Sequence, residues 1–407
     1  MKTTELIDES ATSQPVAYPT TFQHTAAELR LFHGPDSLAA LKRELERNGC
    51  GRAALISGRT VARAHAMDLL RETLGASLVG EFATVREHSP VPAVEETARF
   101  LVEVEADAVI AVGGGSAAVT ARAASILVAE RRPVHDLCTR RMPDGRFDSP
   151  RLNAAKLPQF VVPTTPSTAF VKVGSAVHDP ADGHRLALFD PKTRAKAIFV
   201  HPDFIGTSPL ALVQSATLNT LSTAVEALES PKCDPISEAM LVHSLRLIGE
   251  HLLRLSSAPL AARESLVLAA VLCGRGTDQA GGGLASVLAH AIGHRTNVAN
   301  GIVNAIVLPH TMRFNASSTM SRAPRIVDGL HRSITDNLQL TDTSLSVELV
   351  SSLLGKLDTL RRLRDIGLRK EELPAIADAA MADWFISRNP RKVSDASAVL
   401  DVLEAAW

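Results

Sequence analysis

The chain has 407 residues, and 43 Lys and Arg against 44 Asp and Glu leave a net charge of −1. That balance excludes a general pull toward nucleic acid or anionic lipid, and 45% hydrophobic residues exclude disorder for most of the chain. At roughly 100–200 residues per domain the length predicts two domains, while 4% aromatic content argues against stacking platforms for bases or sugars.

Residues 1–24 are polar, lack the apolar run of a signal peptide, and read as a loosely held extension. No stretch approaches ~18 uninterrupted apolar residues, so no membrane span is predicted and a cytoplasmic protein is expected. Cys50, Cys138, Cys233 and Cys273 lie far apart without a CxxC pair, the pattern of reduced thiols rather than of disulfides or a zinc knuckle. From about residue 25 to 203, short apolar runs alternate with amphipathic segments. Arg52–Ser57, Ala108–Val112, Phe160–Val162 and Ala197–Val200 predict strands; Ser37–Asn48 and Pro92–Glu105 predict helices. That rhythm predicts a Rossmann-like α/β domain over 25–203, its sheet mostly parallel with helices on both faces. Val171–Val177 and Leu186–Phe189 flank the turn-rich Asp179–Gly183 and predict a hairpin added to this sheet. Beyond residue 204, Leu- and Ala-rich patterns predict an all-helical domain over 204–407. Its helices are expected at Leu210–Leu228, Ile236–Leu253, Ala261–Gln279, Leu284–Ile292, Ile302–Phe314, Val347–Leu363 and Glu371–Met381.

The sharpest local signal is AVIAVGGGSAAVTARAA at 108–124, a buried strand running through Gly113, Gly114, Gly115 and Ser116 into a helix. Glycines admit a diphosphate close to the backbone, and the first helical turn offers unpaired amides at a positive dipole end. Ser116 either caps this helix or donates to a phosphate oxygen. A tight βα turn that binds nothing would show the same residues. The second piece is Thr164 and Thr165, just past a neighbouring strand, where ligands of open α/β sheets sit. Thr168 follows in the same threonine-rich turn. After RAALIS comes Gly58-Arg59 with no acid to select an adenine ribose hydroxyl; Arg59 either pairs with a 2′-phosphate or is a solvated loop residue. NAD(P)H is therefore the expected cofactor.

GGGS, then PTT about fifty residues on, then Asp190-Pro191 and His201-Pro202-Asp203 leading into a helical half, resembles the iron-containing alcohol dehydrogenase superfamily, whose fold dehydroquinate synthase shares. The resemblance runs over residues 28–330, through SATLNTLSTAVEA (215–227), LAHAIG (288–293) and NGIVNAIVLPHTMRFN (300–315). It implies a dehydroquinate synthase-like fold and nicotinamide-dependent redox chemistry. Where metal-dependent members carry an Asp, then a His one turn on, this chain has Asn219 and Thr223; at two further ligand histidines it has Ser286 and Asn300. Four neutral groups bring no charge to a divalent cation, so no metal is expected. The maleylacetate reductases resemble this chain in having Asn at the place of Asn219 and no acidic residue at that of Val119, but generally keep the other histidines.

His290 matches the remaining family histidine of its helix, which implies a place at the cleft and a donor's role at a developing alkoxide; an internally satisfied packing histidine is the alternative. Asn219 is expected to add an amide donor. Lys172 and Arg313 are candidates for a substrate carboxylate, although solvated charges look alike in sequence. Arg122, Glu226 and His310 read as structural, and His294, four residues after His290, adds a weak second metal motif. The expectation is a metal-independent NAD(P)H-dependent reductase of a small carbonyl or activated alkene, working as a homodimer without nucleic acid or membrane. A non-redox lyase, dehydratase or cyclase on the same fold, or a non-catalytic homologue, is the alternative.

Overall fold

In the computed structural model, which describes residue 19 and residues 21–142, 146–181, 185–296, 298–334 and 343–407, the apolar runs become the centre of a six-stranded parallel sheet. The strands are β1 (Arg30–His33), β2 (Ala53–Ser57), β3 (Leu78–Phe82), β4 (Ala108–Gly113), β5 (Arg140–Arg141), β6 (Phe147–Asp148), β7 (Gln159–Pro163), β8 (Gly174–His178), β9 (Arg185–Phe189) and β10 (Ala197–Val200). The main sheet runs β1-β10-β7-β4-β2-β3, with β5-β6 and β8-β9 as separate ribbons. Side chains alternate between two apolar layers. Leu55, Ile110, Val112, Phe160 and Phe199 pack on one face, and Ile56, Val109, Ala111, Val161 and Ile198 on the other. Both faces are therefore covered by helices, as the strand–helix rhythm predicts.

The two strands of the main sheet that the sequence reading does not pick out are its edges. RLFH of β1 alternates half-buried and exposed, and LVGEF of β3 contains a glycine and an acid, so neither shows a buried run. The hairpin expectation needs correction: β8 and β9 pair antiparallel with each other but do not join the main sheet. Both sides of β7 are taken by β4 and β10, and the 3-10 turn Thr168–Val171 leads the chain off the sheet before β8 starts. Residues 182–184 of the turn between them, like residues 1–18 and 20 of the extension, lie outside the described residues.

After Val200 the described chain is helical, with the largest helices at Leu210–Glu229, Pro235–His251, Pro259–Ala280, Leu284–Thr296 and Asn300–Thr319, sharing one apolar core. Asp234 caps its helix by accepting from the amides of Ile236 (2.9 Å) and Ser237 (3.0 Å), with Pro235 as first helical residue. Gly281, at φ 77°, ends the helix before it. Gly293 does not end a helix: Leu284–Thr296 runs on through it. A Cβ there would lie 2.7 Å from Asn300 Oδ1, so the glycine serves close approach of the next helix. Among the described residues, no helix is long and apolar enough to cross a membrane.

The same kind of contact places Asn300 against the helix that carries Asn219. A Cβ on Gly301 would fall 1.8 Å from the backbone oxygen of Ser215, which cannot move without moving its helix. Gly301→Ala is expected to cost about 1–3 kcal/mol by overpacking, read as a lowered midpoint of thermal unfolding.

Candidate active site

Parallel register sets the ends of three strands level. Ser57 lies opposite Val112, and Gly113 opposite Pro163, so Gly58, Gly114 and Thr164 emerge on one rim. After β2 the chain turns toward β3, whereas after β4 it turns toward β7; the crevice between β2 and β4 is thus the topological switch point. Gly113 has φ 147°, and its carbonyl accepts from the Thr164 amide at 3.0 Å. A Cβ on Gly114 would sit 2.8 Å from Thr165 Oγ1, and one on Gly115 would sit 2.9 Å from Ser167 Oγ. The two motifs read from the sequence therefore pack against each other, and the glycines are needed for that contact itself. The helix Gly115–Glu130 starts from Gly114 with no side-chain cap, so first-turn amides remain for an external anion. Ser116 is its second residue and does not cap it. Thr165 is buried, Thr164 accepts from Ser208 Oγ at 3.0 Å, and Arg59 stands exposed where the chain leaves β2.

Thr168, Lys172, Asn219 and His290 line one cavity of about 1380 Å³, together with Thr223, Ser286 and Asn300. Lys172 Nζ donates to Thr277 Oγ1 (2.6 Å) and Asp278 Oδ1 (3.2 Å), tying its turn to the helix Pro259–Ala280. Burial lowers its pKa against the pull of Asp278. Arg122 is fully buried and donates to the carbonyls of Gly174 (2.7 Å) and Ala169 (2.5 Å), the packing duty expected of it. Arg313 is exposed and outside the cavity lining, and His310 is half-buried on the same helix. The side chain of His294 lies outside the described residues.

At three of the four positions to which the resemblance assigns metal ligands, the side chain is already engaged within the protein. Asn219 Oδ1 accepts from Asn304 Nδ2 at 3.0 Å, and Thr223 Oγ1 donates to the Asn219 carbonyl at 2.8 Å. Ser286 donates to Glu226 twice, from its amide to Oε1 (2.9 Å) and from its hydroxyl to Oε2 (2.5 Å). Burial pushes Glu226 up to about 7 despite these bonds. Glu229, one turn on, is pushed by burial to about 8, with Asn315 donating to it at 3.0 Å. Among the described residues, no cluster of three or more His, Cys, Asp and Glu could hold a metal. The donor set does not fit iron or zinc.

His290 is held by three residues that the sequence reading does not single out. Its Nδ1 lies 2.6 Å from Arg185 Nη1 and 2.9 Å from Asp383 Oδ2. A guanidinium can only donate and an ionised carboxylate can only accept, so Nδ1 either accepts from Arg185, with the ring proton on Nε2, or donates to Asp383, and the tautomer selects between the two. Burial is the main cause that lowers the His290 pKa; Arg185 adds to it and Asp383 opposes it. Burial would raise Asp383, but His290, the Phe385 amide and Arg185 outweigh it and hold it ionised. The Arg185 guanidinium stacks over Trp384, 4.9 Å from the ring centroid. The run Asp383-Trp384-Phe385 in an aromatic-poor chain is the one signal that marks this cluster in the sequence. In the tautomer that accepts from Arg185, the neutral imidazole offers a hydrogen bond from Nε2.

Comparison with known proteins agrees with this architecture. Residues 29–202 match the iron-containing alcohol dehydrogenase family, and residues 214–407 match the C-terminal part of the Fe-containing alcohol dehydrogenase family. Lactaldehyde reductase of Escherichia coli (strain K12) is 26% identical over 378 residues, covering 92% of this chain and 97% of that protein. Maleylacetate reductase 1 of Cupriavidus pinatubonensis is 26% identical over 370 residues, covering 90% and 92% respectively. The structure of an alcohol dehydrogenase from Oenococcus oeni has the same fold, with a TM-score of 0.85 at 19% identity over 93% of this chain and 98% of that one.

The opposed pulls on His290 can be separated. Arg185→Met is expected to raise its pKa and Asp383→Asn to lower it further, both followed by NMR titration of labelled histidine. Shifts in the opposite sense would contradict these opposed influences.

Proposed function

The chain belongs to the iron-containing alcohol dehydrogenase family, and from that premise we propose a metal-independent NAD(P)H-dependent reductase of a small carbonyl or activated alkene bearing a carboxylate. The observation that carries metal independence is the chemistry of Asn219, Thr223, Ser286 and Asn300. Each is neutral, and the side chains of the first three are already bonded to Asn304, the Asn219 carbonyl and Glu226. Among these four side chains a divalent cation would meet no anionic or imidazole donor. The substrate class rests on charge: the cavity lining carries eight Lys and Arg against three Asp and Glu.

The uncapped helix start at Gly113–Ser116, beside Thr165 and at the switch point, supports nucleotide binding, and Thr168 extends that surface into the cavity. When bound, NAD(P)H supplies the hydride. The residues of this chain then orient the acceptor and stabilise its developing charge. His290, in the tautomer that accepts from Arg185 and carries its proton on Nε2, suits the oxygen that becomes negative; with Lys172 engaged by Thr277 and Asp278, and Arg185 Nη1 by His290, Arg388 and the other donors of Arg185 are placed at the aromatic side of the cavity to meet a carboxylate.

Elemental analysis of the purified protein is expected to find substoichiometric iron and zinc, with NAD(P)H oxidation unchanged in chelator. A stoichiometric ion required for turnover would refute the proposal. His290→Ala is expected to lower kcat by about 10²–10⁴-fold, the range of a lost proton-transfer or oxyanion donor, while nucleotide binding measured by fluorescence stays intact.

A further inference from the structure

Glu226 is a buried acid that the reading above leaves without a task. It stands 4% exposed on the helix Leu210–Glu229, one turn beyond Thr223, and the hydroxyl it touches belongs to a residue lining the cavity. Its two oxygens are not equivalent. Oε1 is committed as an acceptor from the Ser286 amide at 2.9 Å, so a proton on the carboxyl resides on Oε2, the oxygen 2.5 Å from Ser286 Oγ. In the neutral state Oε2–H donates to Ser286 Oγ, and the hydroxyl hydrogen of Ser286 is released to turn toward the cavity. In the ionised state the same hydroxyl turns back and donates to Oε2.

We propose that Ser286 delivers the proton to the oxygen of the reduced substrate and that Glu226, acting only through Ser286, stores that proton. The proposal rests on the reductase reading. As a carbonyl carbon receives the hydride, its π electrons move to oxygen, which takes Hγ of Ser286. Ser286 Oγ takes the proton from Glu226 Oε2, leaving an alcohol, an intact serine and a carboxylate that one proton from solvent resets. The carbonyl is reduced, the nicotinamide is oxidised, and one proton is consumed.

The groups around Glu226 leave this chain of two hydrogen bonds as the route. On its own helix the neighbour is Glu229, which is pushed to about 8 and bonded to Asn315 instead. From the helix Pro259–Ala280 comes Cys273, pushed by burial to about 12 and so silent near neutrality. Gly283 and Ala285 present only amides, and His290, one turn past Ser286, is kept below its ordinary value. With Glu226 at about 7, the neutral store is present below that pH and is emptied as pH rises through it.

The test compares Glu226→Gln, Ser286→Ala and Ser286→Thr with the parent enzyme. In the parent, kcat for reduction is expected to fall tenfold per pH unit above about 7. Glu226→Gln and Ser286→Ala should lower kcat by about 10²-fold or more at unchanged KM and abolish this dependence, while Ser286→Thr, which keeps the hydroxyl, retains both. A readout independent of turnover is the infrared C=O band of a protonated carboxyl. A component titrating near 7 should be present in the parent, persist in Glu229→Gln and be missing in Glu226→Gln, which keeps the Glu229 band near 8. A folded Glu226→Gln with parental kcat and pH profile, or a Glu226 already ionised at pH 6, overturns the proposal. A parent protein that transfers no hydride from either nucleotide overturns the reductase reading, and the infrared band still decides whether the store exists.

Discussion

The 3-10 turn Thr168–Val171 holds the two halves of the protein in register, because three cations are fastened on it. Arg122, fully buried in the helix Gly115–Glu130, donates to the carbonyls of Ala169 and Gly174. Arg194 donates to the Val171 carbonyl and to Asp278, and Lys172 reaches Asp278 and Thr277. From the helical side, Gly274 lets its helix approach so closely that a Cβ would stand 2.9 Å from the Thr168 carbonyl and 2.3 Å from Val171 Cγ2. A buried guanidinium with no carboxylate beside it is costly, and the pKa of Arg122 falls to about 9 through burial and the neighbouring Arg194. Such a group is kept where its donors satisfy carbonyls that a tight turn leaves open. The result is that the threonine-rich segment keeps a fixed distance both from the glycine turn and from the helices bearing Asn219 and His290.

What the sequence made legible follows from how local each signal is. A buried run ending in Gly113–Gly115 depends only on neighbours along the chain, and β4 with its helix lies where the pattern put it. The central strands and long helices were readable for the same reason. The edge strands β1 and β3 were not, since half-exposed strands lose the apolar run that marks them. The separate β8–β9 ribbon was misplaced because strand propensity says nothing about which partner edge is vacant. At the site, Asn219, Thr223, Ser286, Asn300 and His290 were found through a resemblance that fixes positions. Arg185 and Asp383 were not, being 105 and 93 residues from His290 and joined to it only by folding.

The glycine turn shows how one residue type can answer two demands. Gly114 and Gly115 are required by Thr165 and Ser167 whether or not a nucleotide is present. That contact removes the glycines themselves as evidence for a diphosphate and shifts the weight to the uncapped helix start and the switch point between β2 and β4. Had the helix carried a side-chain cap, its amides would be satisfied and the crevice would have less to offer an anion.

The uncharged side chains at positions 219, 223, 286 and 300 and the raised pKa of Glu226 belong to one electrostatic setting. A divalent cation held among residues 219, 223, 286 and 300 would lie next to the Ser286–Glu226 hydrogen bond and favour the carboxylate strongly. With uncharged side chains at those places, burial is the largest influence left on Glu226, and it favours the acid. The hydroxyl at position 286 is small enough to leave room in the cavity and polar enough to connect that acid to it. A histidine in its place would present a ring nitrogen to the cavity in place of that hydroxyl. In the proposed relay, the serine hydroxyl is therefore what connects the cavity to the buried carboxyl.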